Sequence, residues 1–463
     1  MLPGAMVKAD RNHGAGMGSP GTVMGSKKLK AIAVRGTGRV PLATPTAFMD
    51  TVAAWEKVIL ASPQYSQYNL LHDAGIIRNY GTGLGDTYWV AFKNLTDPEA
   101  GRKFGQHLVE ACARWRVTPQ PSYNCQIRCA YDLEMTSGPF AGYRVSLCGG
   151  AANIDGAATV IGVDDPAAAL VMAEYYDDMG LEASVFGGIL GMVFEAYNRG
   201  WLTTADTDGL DLTWGNWQAA MALIEKAIRR EGVGAKLATG LKEAAALLGE
   251  PSGLAADFRD ITVHIKGDGI VMHDWRPFQG ALFSLLVAGC GPAHFGHGSD
   301  HRPIAEAGYP VPTPGVADTF EETFAKVKTL PSSQFYKMWW DNLGICWFTC
   351  GGIPGTPALT AEALGHAVGW NDFSVADAVA VGERTVNALR LIYQKRGFTK
   401  RDECDYGQRY LEPAPAGPAQ GKTIASWVPA MVDEYYRQMG WDVATGYVRP
   451  ERLPHLKLEE FAA

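Results

Sequence analysis

Two cysteines stand four positions apart in the stretch SYNCQIRCAYDLEM (122–135), at Cys125 and Cys129. Thiolates this close are common metal ligands, yet two leave a tetrahedral or cluster site unfinished. A second pair, Cys346 and Cys350, lies in DNLGICWFTC and would supply the missing sulfurs by folding back. Four cysteines from two segments suit an iron–sulfur cluster or a structural zinc; the plain alternative is free thiols buried as small hydrophobes. Histidines gather in MHDWRP (His273) and in GPAHFGHGSDH (His294, His297, His301). Such a loop beside the apolar run GALFSLLVAGC (280–290) reads as an active-site loop, or else as a solvated one whose imidazoles cap helices. GSPGTVMGSKKLK reads as a glycine-rich anion-binding turn ahead of Ser26, Lys27 and Lys28. It is not the nucleotide P-loop, whose second glycine is followed directly by Lys and Ser/Thr.

The elements that must position these residues are mostly helices. DDPAAALVMAEYYDDMG has Asp165 as cap, Pro166 in the first turn and Gly180 as the stop. GGILGMVFEAYNRG ends at Gly200, and GNWQAAMALIEKAIRREG starts on Asn216 and stops at Gly232. TAEALGHAVGW, SVADAVAVGERTVNALRLIYQKRG and IASWVPAMVDEYYRQMG follow the same grammar. Strands are few and short, chiefly AIAV (31–34) and ITVHIKG. The fold class is therefore mainly α, with a boundary expected near residue 255 where GEPSGLAADF breaks the helices.

At 463 residues, 47% hydrophobic and 19% charged, the chain has the composition of a globular protein with two or three cores. A net charge of −8 with no Lys/Arg block argues against nucleic acid or an anionic membrane surface as partner. No run approaches the roughly 18 uncharged apolar residues of a membrane span. The first residues lack the apolar centre of a signal peptide, so eight cysteines read as reduced thiols or metal ligands in a cytoplasmic protein.

Together these pieces resemble the aldehyde ferredoxin oxidoreductase family of tungsten-pterin enzymes. VMGSKKLKAIAVRGT is similar to its AVMGSKNLKAIAVRG signature, and the Cys125/Cys129 stretch to its C-x2-C-x3-C cluster motif. DDMGLEAS resembles the pterin-binding LGLD block, AGCGPAHFGHG the GACH loop, and DNLGIC the D-x-L-G-x-C block. KRGFTKRDE and YYRQMGWDVATGYVRPERL resemble the C-terminal signatures, so the likeness covers nearly the whole chain. The resemblance implies two helical domains, at 46–255 with the cluster cysteines and 256–463 with the histidine loop. It implies that 1–45 is the remnant of a β-rich pterin-binding domain, most of which lies outside this sequence. It also implies a tungsten (or molybdenum) bis-pterin, a 4Fe–4S cluster, an aldehyde or related carbonyl substrate, and ferredoxin or an electron-transfer subunit as acceptor; a homodimer is compatible. Residue by residue, Cys125, Cys129 and Cys346 match cluster ligands, Glu182 and Asp341 match pterin-binding carboxylates, and His294 matches the histidine beside the metal.

The chain departs from the family pattern at named positions. Ser122 stands where the first cluster cysteine is expected, and a hydroxyl is a harder, weaker donor to iron than a thiolate. Gly142 and Arg144 replace glutamates in GPFAGYR, and the arginine favours an anionic substrate. Met17 replaces the arginine of the glycine turn. These departures keep two other readings open: a subunit like that of the tungsten benzoyl-CoA reductase, for which Cys112 is the sole candidate metal thiolate, and a cofactor-poor paralogue without catalysis.

Overall fold

The computed structural model describes residues 4–9, 13–69, 98–147, 151–269, 274–289, 302–311, 319–416 and 419–461. The described chain is mainly α, as the capping signals dictate. Asp165 accepts from the Ala167 N–H at 2.9 Å and opens the helix Pro166–Met179, which Gly180 closes at φ 68°. Asn216, Ser374 and Thr319 cap three further helices through their side chains, the last two with reciprocal capping boxes to Asp377 and Glu322. Gly232 does not end the helix Trp217–Arg229; Arg230 takes the left-handed turn at φ 58° instead.

The chain clusters into two compact units. The first comprises 1–30, 67–277 and 405–425. At its centre is the helix Ala183–Asn198, buried on every side from Ala183 to Ala196, as expected of a helix apolar all round. It crosses the helix Ala151–Ala157 at backbone contact: a Cβ on Gly187 would sit 2.1 Å from the Gly156 carbonyl. Two short strands, β1 (Val7–Ala9) and β2 (His13–Ala15), pair as an antiparallel hairpin. The hairpin is tied to the 180–182 turn by Met6 N–H to Gly180 O (2.9 Å) and Glu182 N–H to Gly4 O (2.6 Å). Strands β3 (Arg116–Pro119), β4 (Tyr131–Glu134) and β5 (Arg144–Leu147) form an antiparallel meander. The two-residue strands β6 (His264–Ile265) and β7 (Asp268–Gly269) are joined by a tight turn with Lys266 and Gly267 at positive φ.

The second unit comprises 31–66, 278–404 and 426–463. Its spine is the helix Phe320–Leu343, packed on Val375–Lys395, where a Cβ on Gly382 would meet the Phe335 carbonyl at 1.7 Å. Around them Tyr336, Trp339, Trp340, Cys350, Ala378 and Ile304 form an aromatic-rich core. AIAV (31–34), expected as a strand, has no regular secondary structure and pairs with no strand among the described residues; Ile32 and Val34 are 72% and 89% exposed. Strand propensity without a neighbouring ladder leaves the backbone solvated, so no sheet forms there.

Candidate functional site

Cys125 and Cys129 lie on the loop between β3 and β4, whose base closes through Gln120 N–H to Ala130 O at 2.8 Å. Ile127, fully buried between them, pins the loop to the core. The residue before each cysteine, Asn124 or Arg128, is left-handed (φ 54° and 53°), so two similar turns present two half-buried thiols that form no disulfide. The Cys125 N–H bonds the Ser122 carbonyl at 3.0 Å, making Ser122 the first residue of the first turn. Its hydroxyl is not idle: Ser122 Oγ lies 2.7 Å from His13 Nε2 on β2. His13 Nδ1 is buried and has no hydrogen-bond partner. Sequence reasoning missed His13, because nothing local marks a histidine brought in from 109 positions away.

Glu182 caps the helix Ala183–Asn198, its Oε2 accepting the Val185 N–H at 2.7 Å. Burial pushes its carboxyl up, against the Val185 and Ser184 N–H groups that favour the charged form. The glycine turn packs on this carboxylate so closely that a Cβ on Gly16 would sit 2.0 Å from Glu182 Cγ. The Gly18 N–H donates to the half-buried carboxyl of Asp268. That turn, with an acid on its donor and Met17 in place of arginine, does not fit a phosphate.

Asp341 and Cys346 flank the end of the helix Phe320–Leu343 in the second unit. Gly344 turns left-handed (φ 68°), its N–H bonding Asp341 O and the next N–H, of Ile345, bonding Trp340 O. This explains the D-x-L-G-x-C spacing: the glycine reverses the chain, leaving the carboxylate on the last helical turn and the thiol just beyond. Lys337 Nζ pairs with Asp341 Oδ1, and the pair is nearly buried. Asp341 Oδ2 is buried without a partner, a vacancy that fits an amine donor of a pterin. Cys346 is exposed and forms no disulfide, whereas Cys350 is fully buried and donates to the Cys346 carbonyl at 3.1 Å. Burial raises the Cys350 thiol well above its usual range, so it is a core residue and not a ligand.

Two sequence readings change. Arg144 starts β5 with its side chain 71% exposed and bonds Glu134 across the sheet at 3.3 Å, so it is a surface charge and not a substrate clamp. Cys112 is buried in the helix Pro98–Arg114 and its thiol is pushed up to about 12 by desolvation, an inert group. His294, with His273, His297 and His301, lies outside the described residues. Among the described residues no three His, Cys, Asp or Glu side chains are gathered as metal ligands. The donor chemistry on the β3–β4 loop nonetheless fits two thiolate ligands, with a hydroxyl–imidazole pair where a third would stand.

Residues 51–458 match the family described as aldehyde ferredoxin oxidoreductase, domains 2 and 3. The tungsten-containing aldehyde ferredoxin oxidoreductases of Pyrococcus furiosus and Thermococcus kodakarensis are each 29% identical, over 99% of this chain and 71% of theirs. The WOR-like subunit of the aliphatic sulfonate oxidoreductase of Pyrococcus furiosus is 26% identical over 98% of this chain and 68% of its own. Among solved structures, the active-site complex BamBC of benzoyl coenzyme A reductase, with 1,5-dienoyl-CoA, matches with a TM-score of 0.70. That likeness covers 99% of this chain and 72% of the other at 18% identity, and speaks for the fold alone. The chain is a divergent member of the aldehyde ferredoxin oxidoreductase family, and an oxidoreductase of that family.

Proposed function

We propose that the protein oxidises an aldehyde to a carboxylic acid, with a tungsten (or molybdenum) bis-pterin as cofactor and a 4Fe–4S cluster leading electrons to ferredoxin or an electron-transfer subunit. The observation that carries this reading is the family match across residues 51–458. The balance is one aldehyde plus one water giving one acid, two protons and two electrons. When bound, the metal–pterin group supplies a two-electron acceptor and the cluster a one-electron relay. Asp341 would hold the pterin through its unpartnered Oδ2 while Lys337 fixes the carboxylate's other oxygen. Glu182, already a helix cap, would orient a second donor from its place against the glycine turn. Cys125, Cys129 and Cys346 would ligate iron as thiolates. His294 would move the proton released at the carbonyl. Reduced thiols at these positions suit the cytoplasm, and a small-molecule substrate suits a chain with no basic stripe.

The test is metal analysis of protein purified anaerobically, followed by aldehyde-dependent reduction of a viologen dye. Tungsten or molybdenum with dye reduction supports the proposal. Reduction of a CoA thioester without aldehyde activity would select the benzoyl-CoA-reductase-like reading, and absence of both metals the non-catalytic one. Asp341→Asn turns an acceptor towards a donor amine, and we expect at least a tenfold loss of pterin and tungsten per chain.

A further inference from the structure

In the second unit, the helix Val375–Lys395 and the loop that follows Trp441 line an open groove of about 650 Å3. Its floor is apolar: Leu391, Val448 and Leu453 are each no more than 7% exposed. The loop is fixed by its own backbone and by the core. Arg390 Nε donates to the Gly446 carbonyl at 2.8 Å, and Asp442 N–H to the Tyr447 carbonyl at 2.8 Å. Gln394 Oε1 accepts the Val448 N–H at 3.1 Å, which orients the amide and leaves its Nε2 donors uncommitted. Asp442 spends Oδ1 on the Ala444 and Thr445 N–H groups and on the Thr445 hydroxyl. The Thr445 bonds hold its carboxyl below the usual carboxylate range, so the group is anionic at neutral pH and offers Oδ2.

Charges of both signs thus face one groove without neutralising each other. Arg449 attracts the Asp442 carboxylate, yet the two form no ion pair, and Glu451 has none among the described residues either. Opposite charges held apart over an apolar floor are complementary to a ligand that carries an acid, an apolar group and a base. The volume falls in the range of roughly 300–1,000 Å3 that takes drug-sized ligands, more than one amino acid needs. We propose that the groove binds an extended peptide segment in which an apolar side chain is flanked by an acidic and a basic one. The acid meets Arg449, the base meets Asp442 and Glu451, and the apolar side chain lies on the floor. The Gln394 Nε2 donors take a backbone carbonyl, a contact open to any peptide sequence. Because the loop is already fixed, the receptor side loses little freedom on binding. The proposal stands apart from the redox reading, since the groove contains none of the residues assigned to a cofactor.

The experiment is a ligand-observed NMR titration of the full chain with acetyl-Glu-Leu-Lys-amide and acetyl-Lys-Leu-Glu-amide, which present the two chain directions. One of them is expected to saturate with a Kd on the order of 1 mM or tighter. Neutral acetyl-Gln-Leu-Gln-amide should bind about tenfold more weakly, the worth of two or three exposed charge pairs. Arg449→Gln combined with Glu451→Gln alters only exposed side chains, and its thermal midpoint, measured alongside, should match wild type. That chain should bind the charged peptide no better than the neutral one. Failure of both charged peptides to saturate by about 10 mM overturns the proposal. So does equal binding of charged and neutral peptides to wild type, a comparison that needs no variant. Wild-type affinity in the doubly substituted chain also overturns it. Free leucine binding as tightly as the better peptide would overturn the assignment to a peptide.

Discussion

The cysteines show how far residue type alone can mislead. Cys346 and Cys350 form the same kind of pair as Cys125 and Cys129, yet one is exposed on a helix N-cap and the other is packed among Tyr336 and Trp340. We expect a maleimide added to metal-free protein to modify Cys125, Cys129 and Cys346 while sparing Cys350 and Cys112, read by peptide mass. Labelling of Cys350 ahead of Cys346 would contradict that assignment. Cys350→Ala should cost ~1 kcal/mol of stability, the loss of one buried group, and leave iron content unchanged. Cys346→Ala should do the reverse. Sequence reading singled out Asp341 and Cys346 through the resemblance of DNLGIC to a family block, and their spacing around Gly344 is local helix-end grammar. It could not find His13 or the Asp268 carboxyl that serves Gly18, because both arrive from distant segments.

Elements in this chain meet at glycines. Helices Ala151–Ala157 and Ala183–Asn198 approach to backbone contact at Gly156 and Gly187, and Gly382 admits the Phe335 carbonyl in the second unit. Gly187→Ala and Gly382→Ala should each destabilise by ~1–3 kcal/mol or more, since backbone cannot yield as a side-chain tip does. Urea unfolding measures this, and a loss below a few tenths of a kcal/mol would refute the close crossing.

The β6–β7 turn carries a pH effect of known sign. Burial holds the His264 imidazole at about 4, below its ordinary 6.5, although nearby Asp405 opposes this; Lys242 adds to the lowering. Its Nδ1 accepts the Gly267 N–H, a bond only the unprotonated nitrogen makes. Between pH 6.5 and 4 the unfolded chain therefore takes up a proton that the folded chain refuses. Stability from this group is complete above about 6.5 and falls as pH drops through that window, by up to ~3 kcal/mol. His264→Asn should flatten that part of the urea-midpoint profile; an unchanged slope would assign the effect elsewhere.

At the scale of the whole molecule, each unit is assembled from segments far apart in sequence, so long-range buried pairs decide closure. In the first, Arg409 reaches Glu195 across 214 positions with bonds of 3.0 and 2.8 Å, both side chains nearly solvent-free. Arg199 also holds Glu195, at 2.6 Å, so Arg409→Met leaves that carboxylate one guanidinium and should cost ~1–3 kcal/mol in urea unfolding, less than stranding a buried charge would. In the second, Arg390 holds Glu403 and Tyr436 beneath the Trp441 ring.

The sequence by itself determined most helices and their caps, the mainly α class and the family, because these rest on neighbours within a few residues or on ordered motif strings; the stop expected at Gly232 falls instead at Arg230. Tertiary structure alone decided which thiols are presented, that AIAV finds no sheet among the described residues, that Arg144 is spent on Glu134, and that Ser122 faces an imidazole. Burial and long-range pairing are properties of the assembled chain, and a residue's letter does not record them.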